Sequence, residues 1–243
     1  MKKHKSIYFS FLVSMMISLA GFSQEHEPRY LLSGGEKDVK VSGFTTVFNQ
    51  FSGLQGDFAY SIGGGGALIF NQGFFIGGYG QGVATRHDYK ELRIYNENNK
   101  SGDPDVDQNL NKIYDNLKLT MGHGGFWLGY NFKSHNVFHL MADTKLGWGS
   151  VNLSDRYYHT DKNEDLVYDP VFVIIPEIGG ELNLLKWFKI NFTIGYRFVT
   201  GLNKEYEYNP SPTGEPIEKK YFDAADFNGI EGSINLVFGW FHQ

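Results

Sequence analysis

The segment Phe188 to Thr200 reads Phe-Lys-Ile-Asn-Phe-Thr-Ile-Gly-Tyr-Arg-Phe-Val-Thr. One set of alternate residues, Phe188, Ile190, Phe192, Ile194, Tyr196 and Phe198, is apolar or aromatic throughout. The other set, Lys189, Asn191, Thr193, Gly195, Arg197 and Val199, is mostly polar. Successive side chains of a β-strand point to opposite faces, so this stretch makes a strand with one greasy and one polar face. It is longer than the ~5–6 residues usual in globular sheets. It reaches the about 9–11 residues with which a tilted strand crosses a bilayer. Strands satisfy their backbone in hydrocarbon only by closing into a barrel.

Eight such runs are found, at 41–48, 57–70, 74–86, 117–132, 137–153, 171–184, 188–200 and 228–241. The links at 71–73, 133–136 and 185–187 have hairpin lengths. Those at 49–56, 87–116, 154–170 and 201–227 are longer. Short and long links alternate, as they do where short periplasmic turns face longer external loops. The expected fold is all-β: an eight-stranded antiparallel up-and-down transmembrane β-barrel, preceded by a cleaved signal peptide and with both termini periplasmic. The signal is residues 1–23: a cationic Met1-Lys2-Lys3-His4-Lys5, an apolar run from Ile7 to Ala20, then Gly21 and Ser23. Residues 24–40 form a polar periplasmic lead-in and 41–243 the barrel.

Without Lys2, Lys3 and Lys5, 19 basic side chains remain against 27 acidic ones, a net charge of −8. An acidic chain of this kind is a poor partner for nucleic acid. The absence of cysteine excludes disulfides, thiolate metal sites and a cysteine nucleophile.

Turn length fixes register. The turn at 185–187 sets Leu182 beside Ile190 and Ile178 beside Ile194 on the apolar face, with Asn183 beside Lys189 and Glu181 beside Asn191 on the other. The turn at 71–73 pairs Phe70 with Phe74 and Ile69 with Phe75. A soluble ligand-binding barrel turns its apolar face inward. The polar face here carries Asp143, Lys145, Glu177, Glu181, Lys189, Arg197 and Glu231, too many ionisable groups for a greasy cavity. Aromatics near the strand ends, among them Tyr130, Phe132, Phe138, Trp148, Phe188, Phe198, Phe238 and Trp240, suit the two interfaces of a membrane. The apolar face is therefore expected outside, around a salt-bridged plug. Within it, Glu181 is diagonal to Lys189 and Glu177 to Arg197. An ion or proton path is the functional alternative for the same residues.

Gly63-Gly64-Gly65-Gly66 lacks the Lys-Ser/Thr and the helix of a phosphate loop. It reads as space for larger partners, Gly65 opposite Tyr79 and Gly63 opposite Gln81. Pro176 inside its run predicts a bulge. Leu117-Lys118-Leu119 has the wrong parity relative to Phe126, Leu128 and Tyr130, so a bulge intervenes or the stretch stands beyond the lipid.

Asp103, Asp105 and Asp107, followed by Asn109, Asn111 and Asp115, supply hard oxygen ligands of the kind calcium takes. Gln108 occupies the usual glycine position and a bidentate Glu is missing, so a solvated acidic loop is the plainer reading. His159, with Ser154, Asp155 and Asp161 nearby, is the one candidate for rim chemistry, without a nucleophile elbow. His123 and His139 fall on the inner face as packing residues. Tyrosines crowd the long loops, in a composition suited to recognition or to loop packing.

The signal, the alternating link lengths and the closing run Ile234-Asn235-Leu236-Val237-Phe238-Gly239-Trp240-Phe241 together resemble the small eight-stranded outer-membrane barrels of Gram-negative bacteria. Val41-Ser42-Gly43-Phe44 and Phe74-Phe75-Ile76-Gly77-Gly78-Tyr79-Gly80 are similar to a glycine-rich subgroup. Many of these chains end on the aromatic, whereas here His242-Gln243 follow. The resemblance implies an outer-membrane location, lipid contact and delivery by the outer-membrane assembly machinery. It implies no one activity, because members serve as adhesins, stabilisers, resistance factors and lipid enzymes. The expected role is surface binding or an envelope-structural one, through loops 87–116, 154–170 and 201–227. A rim-located lipid enzyme and a narrow channel are the alternatives.

Overall fold

The computed structural model describes residues 39–95, 111–115, 117–155, 165–209 and 215–241. The strands are β1 (Val41–Leu54), β2 (Asp57–Phe70), β3 (Phe74–Val83), β4 (His87–Tyr89), β5 (Leu92–Tyr95), β6 (Asn111–Tyr114), β7 (Leu117–Phe132), β8 (Phe138–Asp155), β9 (Asp165–Asn183), β10 (Phe188–Thr200), β11 (Glu205–Tyr208), β12 (Ile217–Lys220) and β13 (Gly229–Trp240). Among the described residues, eight long antiparallel strands, β1, β2, β3, β7, β8, β9, β10 and β13, pair in sequence order, and β1–β13 closes the barrel. No described helix is long and apolar enough to span a membrane.

The ladder fixes the barrel's geometry. Stepping from partner to partner leads from Ser42 through Ile69, Phe75, Gly129, Asp143, Glu177, Gly195 and Glu231 to Ser52. The circuit returns to β1 ten residues from where it began. A stagger of that size in eight strands tilts them by about 40°. Space inside is tight. A methyl group added at Gly129 would sit 2.6 Å from Asp143 Cβ, so the large residues around the circuit need glycine between them.

The registers at the hairpins through 71–73 and 185–187 match the spacing of their turns. Leu182 pairs with Ile190, Ile178 with Ile194 and Asn183 with Lys189. Phe70 pairs with Phe74, Gly65 with Tyr79 and Gly63 with Gln81. The described chain ends lie at this short-turn rim: Asn71 N–H donates to the Lys40 carbonyl at 2.9 Å, and Gly239 N–H to the Trp187 carbonyl at 2.9 Å.

Two expectations are corrected, and a third, which left two readings open, is narrowed to one. The first run does not stop at Phe48. β1 continues to Leu54 and turns through Gln55 (φ 52°) and Gly56 (φ 84°). Two positive φ angles make a tight primed turn, so the first link on the long-loop side is short and the alternation of lengths begins one hairpin later. Pro176 makes no bulge. It keeps register with Thr144, and the irregularity in the β8–β9 ladder lies at Leu153/Ser154 instead. Pro176 points outward, where the missing N–H interrupts β9–β10 pairing without shifting it. Leu117 and Leu119 need no bulge either. They stay in register on the inner face, which has become apolar at that height.

The faces separate cleanly. On β10, Phe192 and Ile194 are 46% and 56% exposed, whereas Thr193 between them is 8% exposed. The outer surface carries two aromatic belts. Near the short turns, Phe188 stacks on Phe238 (5.1 Å between ring centroids), and Tyr130 meets Phe132 at 5.0 Å. Ten residues further along the strands, Tyr196 meets Phe198 at 4.6 Å and Trp148 meets Phe172 at 5.3 Å. At about 3.3 Å per residue and this tilt, the belts are ~25 Å apart.

Candidate functional site

The lumen is built from inward residues in successive layers. Nearest the short turns, Lys189 Nζ donates to Glu181 Oε1 at 2.6 Å, and His139 Nε2 lies 3.1 Å from the same oxygen. Phe241, just past β13, turns back so that its ring lies 3.9 Å from the Lys189 ammonium. An aromatic layer follows. Phe44, Phe48 and Phe75 surround Trp127 with centroid separations of 5.4, 5.2 and 5.0 Å. Trp127 Nε1 donates to Asp143 Oδ1 at 2.9 Å.

The central layer holds the buried cation Lys145, whose Nζ is 2.5 Å from Glu177 Oε2 and 4.6 Å from the Phe48 ring. Thr193 donates to the other Glu177 oxygen at 2.9 Å and meets Ser233 at 2.5 Å. Asn235 donates to Ser233 and Asn191. Above it, Tyr79, His123, Gln81, Gln50 and Glu231 form a hydrogen-bonded relay across the barrel. Arg197 closes this layer, its Nη1 3.7 Å from Glu231 Oε2. The guanidinium also donates to Phe227 O (2.8 Å), Gly53 O (2.8 Å) and Ser52 Oγ (3.1 Å).

All seven ionisable residues singled out on the polar face point inward and are buried. One expected pairing differs. Glu177 engages Lys145, and Arg197 engages Glu231. The register explains this: Gly195, not Arg197, lies directly opposite Glu177, while Lys145 reaches the carboxylate from the other flanking strand. Sequence reasoning missed Gln50 and Ser52, because the first run was ended before them. It also missed Trp127, Phe48 and Phe241, whose inward direction follows from parity once register is known.

The long-loop end is capped by apolar packing. Leu92, Leu202, Phe222 and Phe227 join barrel-wall residues such as Leu119, Val151 and Val173 in one cluster. Phe222 meets Tyr89 at 5.9 Å and Phe227 at 5.7 Å, edge-on. The hairpins β5–β6 and β11–β12 stand here, β11 against β5. Burial pushes the Tyr89 phenol up to about 12, with the neighbouring Tyr206, Asp226 and Tyr221 adding to the shift. Tyr206 and Tyr221, at 4.8 Å, are raised for the same leading reason. These tyrosines are packing residues, whereas Tyr168, Ile113 and Ile217 present exposed apolar surface.

Asp103, Asp105, Asp107, His159 and Asp161 lie outside the described residues. Among the described residues no cluster of three metal-ligating side chains occurs.

No protein-family model matches the sequence, and no curated protein does. Solved structures of similar architecture include Neisserial surface protein A, 6% identical over 84% of this chain and 100% of its own, with a TM-score of 0.44. Ail, the attachment invasion locus protein of Yersinia pestis, is 9% identical over 82% of this chain and 97% of its own (TM-score 0.43). The outer membrane protein AlkL is 11% identical over 89% of this chain and 96% of its own (TM-score 0.32). At these values the likeness adds nothing to the barrel already traced strand by strand, and function is argued from the residues.

Proposed function

We propose that the protein is an integral outer-membrane barrel with a plugged lumen, which displays its long loops for surface binding. The observation that carries this is the inversion of polarity on β8, β9, β10 and β13. Ile178, Ile194 and Ile230 are exposed on the outside, while Lys145, Glu177 and Arg197 are enclosed. Such a surface is a large contiguous apolar patch, and a hydrocarbon bilayer is the solvent that covers a band of this height. The interior supports a non-conducting role, because ion pairs, aromatic rings and the apolar cap fill it beyond an open mouth at the short-turn end. At the loop end, exposed Ile113, Tyr168 and Ile217 stand among Lys112, Glu205, Glu218 and Lys220, a mixture of anchors and polar groups suited to a binding surface.

Spin labels test the orientation. Labels at Phe192 and Ile194 report hydrocarbon and one at Thr193 reports an enclosed polar site; the reverse result makes the protein a soluble ligand carrier. Replacing the β11–β12 hairpin by a short Gly-Ser turn tests the role. The barrel still migrates faster unboiled than boiled, and attachment of the bearing cells to their target surface is lost. Full attachment without the hairpin removes the loops' part in it.

A further inference from the structure

The short turns 133–136 and 185–187 stand at the edge of the aromatic belt on their side of the barrel. Lys133 directly follows Phe132, which is 49% exposed, and Lys186 directly precedes Trp187, which is 57% exposed. One strand residue advances about 3.3 Å, so both lysines leave the chain within a step of rings that sit at head-group level in a membrane. The turns are also fixed. Asn183 Nδ2 donates to Ser134 O at 3.0 Å and to Asn136 O at 2.7 Å, and Asn183 N–H donates to Val137 O at 2.8 Å. These bonds tie the first turn to the strand that enters the second. The Trp187 ring stacks on Phe238 with centroids 6.3 Å apart.

Exposed charge at this end has one sign. Lys133 and Lys186 are exposed, and among the described residues of the short turns and the strand ends beside them no exposed Asp or Glu occurs. Glu181, just inside, is enclosed and accepts from Lys189. The long-loop end differs. There Arg86 and Arg93 lie 3.4 and 2.5 Å from Asp88 and Glu91, and Lys118 stands opposite Asp88 in the ladder.

We propose that the short-turn end gathers anionic phospholipids, whose phosphates meet Lys133 and Lys186 while their glycerol and upper acyl carbons lie on Val137, Leu185 and Trp187, all exposed. The inference rests on the membrane reading above and adds to it a head-group preference at one end. A leaflet is an array of head groups, so each lysine recruits its own and no shared pocket is needed. A basic residue at an anionic membrane surface strengthens association about fivefold.

Tryptophan quenching by brominated lipid tests it. Trp148→Phe with Trp240→Phe leaves Trp187 as the lipid-facing reporter. Trp187→Phe with Trp240→Phe leaves Trp148, in the belt at the long-loop end, and Trp127 is enclosed in both variants. Each is refolded in phosphatidylcholine vesicles containing a minor fraction of phosphatidylglycerol or phosphatidylcholine brominated near the head group. Heat-dependent gel mobility verifies folding. The phosphatidylglycerol probe is expected to associate about fivefold more strongly than the phosphatidylcholine probe at Trp187, and equally at Trp148. Lys133→Gln with Lys186→Gln makes the two probes equal at Trp187 and leaves Trp148 unchanged. Equal quenching by the two probes at Trp187, a preference that survives the lysine changes, or the same preference at Trp148 overturns the proposal. Quenching of neither reporter by either probe refutes the membrane reading itself, and the proposal with it.

Discussion

Lys145 and Glu177 stand diagonally across β8 and β9, with Nζ 2.5 Å from Oε2 and both side chains almost wholly enclosed. The ammonium is the central cation of a lumen that also holds Asp143 and Glu231 in the same ladder circuit. Removing it leaves buried carboxylates uncompensated. Breaking such a pair costs about 3–5 kcal/mol, whereas replacing both partners with well-packed apolar groups is often neutral. Lys145→Met is expected to destabilise the refolded barrel by that order, read as a lowered urea midpoint. Adding Glu177→Leu to it restores most of the loss. A single variant as stable as the wild type would show that the pair contributes nothing.

Arg197 acts on the loops more than on the barrel wall. Its guanidinium holds the carbonyls of Gly53 and Phe227, which belong to the tip of the first hairpin and to the end of the last loop. Each buried carbonyl left unsatisfied costs about 1–3 kcal/mol. Arg197→Met is therefore expected to speed protease nicking within 201–227. Glu177→Gln, which leaves these contacts in place, does not. Equal nicking of the two variants would contradict the separation of the two ion pairs.

His87 on β4 gives the long-loop rim a pH dependence. Burial lowers its pKa from 6.5, partly opposed by Asp57 and Asp88. The folded rim thus prefers the neutral ring, which meets Thr85 Oγ1 at 2.9 Å. A depressed pKa contributes stability that is complete above the unfolded value and is lost as the pH falls. Amide protection in β4 and β7 near Leu119, its ladder partner, taken relative to intrinsic exchange at each pH, is expected to fall below pH 6.5. His87→Phe flattens that profile. A wild-type profile already flat between about pH 7 and pH 5 would remove His87 as the cause.

The fold was legible because a membrane-type barrel writes its rule on most of its strands. Alternation at 188–200 gave the faces, and the three-residue turns gave registers that the structure reproduces pair by pair. Failures came where a local rule met an override. Asn49 to Leu54 reads as polar, glycine-bearing loop, yet Gln50 and Ser52 are inward residues of a strand, polar because they serve Glu231 and Arg197. Pro176 signals a bulge only if its missing N–H must be paired, and outward on β9 the ladder skips it. The Glu177–Arg197 pairing failed because diagonal proximity on two strands ignores the third. Lys145, from β8, reaches the carboxylate first. The aromatic layer around Trp127 was illegible for a simpler reason: inward aromatics look like any others until parity and register are both fixed.

The last prediction concerns that aromatic layer. The ion pairs alone do not close the barrel, since water and small ions can move among hydrated charges. Closure needs groups that exclude water, and Phe48, Phe75 and Trp127 form a ring cluster with centroids 5.0–5.2 Å from the indole. Phe48 also covers the Lys145 ammonium. An eight-stranded barrel is just wide enough for side chains to fill, so deleting two large rings opens a path between the short-turn mouth and the ionic layer. The loop-end cluster around Phe227 then remains as the second barrier. Wild-type protein in planar bilayers is expected to show no steady conductance. The double variant Phe48→Ala, Trp127→Ala is expected to remain closed, and further replacement of Phe222 and Phe227 by Ala to produce discrete openings. Steady current through the wild type would show that the layers described here do not seal the lumen.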